Sequence, residues 1–381
     1  MKKIKLPLVI LLTIIILMRI NQPAFADFSD DVDARSAILM EASSGMILYE
    51  KNADEPLPPA SVTKIMTLLL VMEAIDSGKI KLDDMVVVSD NAASMGGSQV
   101  YLEAGEQMTV EDMIKSVVIS SANDAAVALA EHIAGSEAFF VSMMNEKAAI
   151  LEMTNTHFEN TNGLDDMSTS HLCSAKDIAI MSRELLRHEK ILDYTKIWQD
   201  TIRDGAFTLS NTNRLIRFYN GANGLKTGST SKAKFCISAT AKRDNMQLIC
   251  VIMGSPTRDI RNEEAKKLLD YGFANYGVYS YEQESLGKRR IVGSKIEEIE
   301  LYTEPFSCVI DKGQLSKIEK SIEISDQYTA PVKAGECIGK VIFTLDGKKI
   351  GESEVLSQNS AEKITYNEIF MIIISRFSSI K

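Results

Sequence analysis

The sequence predicts an α+β domain, an antiparallel sheet packed with helices, followed by a small all-β domain. Three observations point there. Apolar residues recur at the helical period in the middle of the chain, at Ile65, Leu68, Leu69, Met72 and Ile75 and again over residues 109–119 and 124–133. β-like runs stand on either side of that block, near residues 36–50 and 235–254. Beyond Tyr281 the texture changes to short alternating runs, 296–301, 341–345 and 350–355, punctuated by Gly339, Gly347 and Gly351. The length of 381 residues accommodates one large and one small domain, and 45% apolar with 25% charged residues is ordinary soluble composition.

Taken in order, the chain opens on an address. Lys2, Lys3 and Lys5 precede an apolar run over residues 6–18, and Ala24-Phe25-Ala26 supplies a small-x-small cleavage site. The run is short for a spanning helix, so residues 1–26 are expected to be a signal peptide and the remainder to be exported. Residues 36–39 and 46–50 flank Ser43-Ser44-Gly45 as a hairpin. Pro56, Pro58 and Pro59 then stop any regular element, and a helix runs from Ser61 to Ser77 with Gly78 as its stop. Thr109 and Asp112 resemble a capping box for a helix to Ile119, residues 120–123 break it, and another helix runs from Asp124 to Ile133. A further helix opens at Ser174. Residues 235–241 and 246–254 form a hairpin turning over 242–245, which sets Cys236 opposite Val251, and a helix follows over 261–276.

Charge excludes one class of partner. A net charge of −10 leaves no broad basic field for nucleic-acid phosphates. The five cysteines form no CxxC pair, and Cys236 and Cys250 fall on opposite faces of their hairpin, so free buried thiols are expected there. His132, His157, His171 and His188 lack metal-ligand spacing, so neither a metal nor a cofactor is expected.

Ser61-Val62-Thr63-Lys64 is an S-x-x-K segment at the start of an apolar helix, where residues three apart share a face and Lys64 can reach the Ser61 hydroxyl. A lysine works as a base there only if burial and a second cation lower its pKa. The motif alone is weak, since Ser229/Lys232, Ser231/Lys234 and Ser285/Lys288 also match, and its bland reading is a helix cap. An S-x-N follows in three places. Ser89-Asp90-Asn91 has the texture of a turn, Ser357-Gln358-Asn359 lies near the tail, and Ser121-Ala122-Asn123 sits at a tight junction between two apolar helices. Ser121 and Asn123 are therefore preferred. Lys226-Thr227-Gly228 occurs once: at a sheet edge Lys226 supplies a cation, Thr227 a hydroxyl, and Gly228 room for close backbone approach. Arg261, at the start of its helix, could assist carboxylate binding but reads first as a structural residue.

With this order and spacing the chain resembles the low-molecular-mass penicillin-binding proteins, the serine D-alanyl-D-alanine carboxypeptidases. The likeness extends to the surroundings, residues 59–67, 121–125, 223–228 and 268–273, and covers nearly the whole chain. It implies a β-lactamase/D,D-peptidase-like domain in which Ser61 is acylated, Lys64 is the general base, and Ser121 and Asn123 relay protons and bind substrate. Lys226 and Thr227 would hold the substrate carboxylate, and the N–H of Ser229 would complete the oxyanion site. Two departures stand out: Ala122 where the family often has Gly, and residues 231–235 where it has Ala-Gly-aromatic.

The implied organisation is a signal peptide over 1–26, a catalytic domain over 27–280, a β-rich domain over 285–360 and an amphipathic membrane-anchoring segment over 362–381. Ile369, Ile373, Phe377 and Ile380, with Phe370 and Ile372, form the apolar stripe of that last segment, flanked by Lys363, Arg376 and Lys381. The expected function is removal of terminal D-Ala from peptidoglycan stem peptides, with β-lactams as covalent inhibitors, at the outer face of the membrane. A β-lactamase would share the motifs, but no E-x-x-L-N segment stands between Ser121 and Lys226. A silent wall-binding scaffold would not need all three motifs intact.

Overall fold

The computed structural model describes residues 31–164 and 170–378, with side chains to Ser375 at the C-terminal end. The expected signal segment 1–26 lies outside the described residues, as do residues 379–381.

The large sheet is built from both ends of the catalytic region. Strands β1 (Ser36–Glu41) and β2 (Ile47–Lys51) form the first hairpin. Its turn is held by the buried Glu41 carboxylate, which accepts the N–H and hydroxyl of both Ser43 and Ser44. Two short antiparallel pairs, β3 (Met85–Val87) with β4 (Gln107–Thr109) and β5 (Gln199–Ile202) with β6 (Phe207–Ser210), lie among the helices. Strands β7 (Ala222–Thr230), β8 (Lys234–Arg243) and β9 (Met246–Ser255) complete a five-stranded antiparallel sheet in the order β2-β1-β9-β8-β7. The second hairpin turns more tightly than the sequence predicts. Arg243 pairs with Met246, so the turn is Asp244-Asn245 alone, and Ser238 rather than Cys236 faces Val251. The slip is by two residues, which leaves each side chain on its expected face. Cys236 and Cys250 are both buried free thiols.

Five helices frame the site, and three of them start on a side-chain cap. Helix α1 (Lys64–Asp76) is buried on nearly every side. Helix α2 (Val110–Ile119) is capped by Thr109, which accepts the N–H of Asp112, and α3 (Asn123–Ala134) ends where Gly135 adopts φ +81°. Helix α4 (Glu137–Ile150) packs on α3, and α5 (Ala175–Leu186), capped by Ser174, packs on α1 and on β9. The sheet's other face is covered too. Helix α6 (Arg258–Asn275) starts three residues before the predicted position because Thr257 caps it, and its Gly272 lies so close that a Cβ would sit 2.6 Å from Leu248. The sheet is thus a middle layer rather than one wall.

The C-terminal strands form a separate core. Strand β10 (Tyr276–Tyr281) pairs with β13 (Phe306–Asp311). Strands β11 (Ser285–Val292), β12 (Glu298–Thr303), β14 (Ile318–Glu323), β15 (Gln327–Thr329), β16 (Cys337–Leu345) and β17 (Lys348–Ser357) form a sheet in the order β14-β16-β17-β12-β11-β15. Phe343 stacks on Phe306 at 4.5 Å at the centre of this core. Helix α7 (Tyr366–Ser378) follows.

Candidate active site

The cleft begins at a proline-stopped turn. Ala60–Thr63 forms a 3-10 turn leading into α1, so Ser61 precedes the α-helix proper rather than lying in its first turn. Ala60, at φ +48°, bends the chain so that Ser61 faces outward while Lys64, three residues on, is fully buried. Lys64 Nζ lies 2.9 Å from Ser61 Oγ.

The second wall is the junction of α2 and α3. Ser121 takes φ +63° there, which turns the chain between two buried helices and brings Ser121 to the cleft. Asn123 opens α3. Its N–H donates to Ser98 O at 2.7 Å and its Nδ2 to Gly96 O at 2.6 Å, which leaves Oδ1 facing Lys64 Nζ at 2.5 Å. The loop supplying those carbonyls is tied down by Asp124, whose carboxylate accepts the N–H groups of Val100 and Leu102.

The third wall is the edge strand β7. Lys226 is 1% exposed and Thr227 is buried, its hydroxyl donating to Thr212 at 2.8 Å. Gly228 is the point of contact with the Ser61 turn, since a Cβ there would sit 2.8 Å from Pro59 O and 2.9 Å from Ser61 N. Ser61, Ser98, Ser121, Thr212, Thr227, Gly228, Ser229, Arg258 and Arg261 together line a cavity of about 150 Å³.

Electrostatically the cleft is a concentrated exception to an acidic protein. Burial drives the Lys64 pKa well below the usual lysine value, the charge of Lys226 pushes it further down, and Asp124 opposes both. Burial, then Arg261, lowers Lys226 to about 7. Arg261 is 2% exposed and is lowered to about 10 by burial first. Its guanidinium donates to neutral acceptors, Asn262 Oδ1 and the Cys236 carbonyl. Among the described residues no carboxylate lines the cavity. A hydroxyl beside a buried amine, with cations along an open strand edge, is an arrangement for acyl transfer on an anionic substrate.

The structure brings Ser61, Lys64, Ser121, Asn123, Lys226, Thr227, Gly228 and Ser229 to this one cleft. Ser89 stands elsewhere, capping a one-turn helix and donating to Glu131 at 2.5 Å. Arg261, read from sequence as structural, lies in the cavity wall. Sequence reasoning also missed Asn162, whose backbone carbonyl accepts from Lys64 Nζ at 2.8 Å. The one signal for it was the turn-like run Asn160-Thr161-Asn162-Gly163.

A layered α+β domain with this cleft defines a serine peptidase. Residues 21–257 match the D-alanyl-D-alanine carboxypeptidase family, peptidase S11, and residues 276–363 match the C-terminal domain of penicillin-binding protein 5. The chain belongs to the peptidase S11 family of D-alanyl-D-alanine carboxypeptidases. It is 45% identical over 338 residues to the D-alanyl-D-alanine carboxypeptidase DacF of Bacillus subtilis, covering 87% of this chain and 86% of that one. Penicillin-binding protein 5 of Haemophilus influenzae superposes with a TM-score of 0.77 at 32% identity, over 89% of this chain and all (100%) of that one. Penicillin-binding protein D2 of Listeria monocytogenes, in its ampicillin-bound form, superposes with a TM-score of 0.59 at 31% identity over 65% of this chain and 100% of its own.

Proposed function

We propose that this chain is a serine-type D-Ala-D-Ala carboxypeptidase that removes the terminal D-Ala from peptidoglycan pentapeptide stems through an acyl-enzyme on Ser61. The observation that carries the reading is the set of partners around Lys64. A neutral amine has two N–H bonds and one lone pair. The Asn162 carbonyl and Asn123 Oδ1 are acceptors only, and Asn123 is kept that way round by its bond to Gly96 O. These two take both protons, so the lone pair faces the Ser61 hydroxyl 2.9 Å away. Burial and Lys226 lower the amine's pKa and so favour its neutral form.

The reaction follows from these positions. Ser61 Oγ attacks the carbonyl of the penultimate D-Ala as its proton passes to Lys64, and the N–H groups of Ser61 and Ser229 receive the developing oxyanion. Lys226, Thr227 and the guanidinium of Arg261 hold the terminal carboxylate. Ser121 relays the proton from Lys64 to the leaving amine, D-Ala departs, and water cleaves the ester with Lys64 again as base. A β-lactam enters the same cycle, as ampicillin is bound in the Listeria relative. Its leaving amine stays tethered within the acyl group, so the adduct persists.

Export through the signal segment and docking at the membrane surface complete the reading. Helix α7 presents Tyr366, Ile369, Phe370, Met371, Ile372, Ile373 and Ile374 to solvent, an apolar surface that suits a lipid interface. Among the described residues no helix is long and apolar enough to cross a membrane.

The test is D-Ala release from a diacyl-Lys-D-Ala-D-Ala peptide, with mass spectrometry after brief exposure to penicillin. Ser61→Ala and Lys64→Ala should each lose release by about 10³-fold or more, and the adduct should map to the Ser61 peptide. Intact release in Ser61→Ala, or rapid multiple-turnover penicillin hydrolysis by the unaltered enzyme, would sink the proposal.

A further inference from the structure

We propose that His171 is a positioning residue, acting through Thr63 to hold the turn that carries Ser61 in register with the loop that supplies the Asn162 carbonyl. The inference rests on the carboxypeptidase reading, in which that carbonyl orients the Lys64 lone pair.

What residues 158–164 give to the site is a backbone oxygen, and a backbone oxygen stays in place only if its surroundings fix it. Several anchors do so from the helices. Glu137 Oε1 accepts the N–H and hydroxyl of Thr161 at 3.1 and 2.8 Å. Asn145 both accepts from and donates to the Phe158 backbone at 2.9 Å, and Thr67 Oγ1 donates to Thr161 O at 2.6 Å. None of these reaches the residues around Ser61.

His171 does. The Glu159 N–H can only donate, and it points at His171 Nδ1 from 3.1 Å, so that nitrogen carries no proton. The ring proton therefore sits on Nε2, 2.8 Å from Thr63 Oγ1. Thr63 accepts it and sends its own hydroxyl proton to Ala60 O at 2.8 Å. An N–H at one end and a carbonyl at the other fix the direction of every bond in this relay. Its middle members are sealed from water, with His171 5% and Thr63 0% exposed, and the Phe158 ring stands edge-on to the imidazole at 5.7 Å.

The relay closes over the tightest contact between loop and turn. Gly163, at φ +84°, lies against Ala60 so closely that a Cβ would sit 1.9 Å from the Ala60 carbonyl oxygen. Ala60 itself holds a left-handed conformation, φ +48°, one residue before Ser61. Ser61 Oγ and Asn162 O are both partners of Lys64 Nζ, one from each side of this contact. Their spacing sets where the lone pair points, and neither His171 nor Thr63 lines the substrate cavity. Loss of the relay should slow the chemical step and leave binding alone.

The experiment uses the full-length protein and follows D-Ala release and the rate of penicillin acylation in His171→Ala, Thr63→Val and the double variant, with melting curves to establish folding. Each single substitution should lower kcat and the acylation rate by about 10- to 100-fold while KM stays within about 2-fold. The double variant should be no slower than the slower single, because both break one relay. His171→Gln, whose amide N–H reaches the Nε2 position, should regain most of the loss. Unimpaired kcat in the singles, multiplicative losses in the double, or no rescue by glutamine would overturn the proposal. If His171→Ala fails to fold, Thr63→Val, which keeps the volume, decides alone. Ser61→Ala separates the two readings: its survival as an active enzyme overturns the carboxypeptidase reading and this inference together, whereas its inactivity beside a fully active His171→Ala overturns this inference alone.

Discussion

Lys226 spends stability on reactivity, and its pH dependence has a definite sign. Burial is the larger cause of its fall from 10.5 to about 7, and the neighbouring Arg261 is the second. A group with a lowered cationic pKa binds fewer protons folded than unfolded, so its penalty is full below about pH 7 and fades as pH rises to its unfolded value near 10.5. Lys226→Met should accordingly melt higher than the unaltered enzyme at about pH 6, and the gain should vanish by about pH 10.5. The same variant should bind the substrate carboxylate poorly. Because Lys226 holds the Lys64 pKa down, the acid limb of the penicillin acylation profile should also move to higher pH. A profile unmoved by the substitution would mean that burial alone keeps Lys64 neutral. At this scale the sequence was legible wherever a side chain carries the proposed chemistry: Ser61, Lys64, Ser121, Asn123 and Lys226 stand out by type and spacing, and the fold gathers them at one cleft. The Asn162 carbonyl was not, since any residue has one. The place of Arg261 in the cavity wall was not legible either, because its burial is a property of the packed helix rather than of the sequence around it.

Among the elements, the loop over residues 96–106 matters beyond its lack of regular structure, because it supplies Gly96 O and Ser98 O to Asn123. The β5–β6 turn clasps it. Arg203 donates to both Glu106 oxygens at 2.7 and 2.9 Å and to the carbonyls of Val100 and Tyr101. Arg203→Ala should destabilise the fold by about 1–2 kcal/mol, a charged hydrogen-bond set discounted for partial exposure. It should also open residues 96–106 to proteolysis and lower kcat/KM for D-Ala release, all without touching substrate. Resistance to protease equal to that of the unaltered enzyme would show that Asp124 alone suffices to hold the loop. Helices were legible here because their apolar period is long and their caps, Thr109 and Ser174, are explicit. Strand β4 and the pair β5–β6 were not, being only three and four residues per strand, too short for an alternation to register. The two-residue slip in the β8–β9 register has a local cause: Asp244 takes φ +51°, which lets the chain reverse over two residues instead of four.

At the scale of the whole molecule, the proposed anchor is attached through a thin link, an ion pair between Lys295 and Glu368 at 2.6 Å and a bridge between Ser294 and Lys363. Lys295 and Lys363 are exposed and their partners only half-buried, so little of the β domain's stability depends on this link. Deleting the residues after Glu362 should therefore leave an active protein with an unchanged melting temperature that no longer sediments with membranes. Retention of the truncated, signal-cleaved protein on the membrane would refute the anchor. The large sheet has one further consequence. Its central pairing joins Ser36 to Met253, the first strand to the last, with every helix from α1 to α5 threaded between them. During synthesis the apolar strand β1 has no permanent neighbour until β9 is complete, and contacts so distant along the chain close slowly because the intervening segment must first be gathered. The nascent polypeptide thus remains without its central layer for most of its elongation, a state that suits the proposed export, in which the cleft is assembled only after translocation.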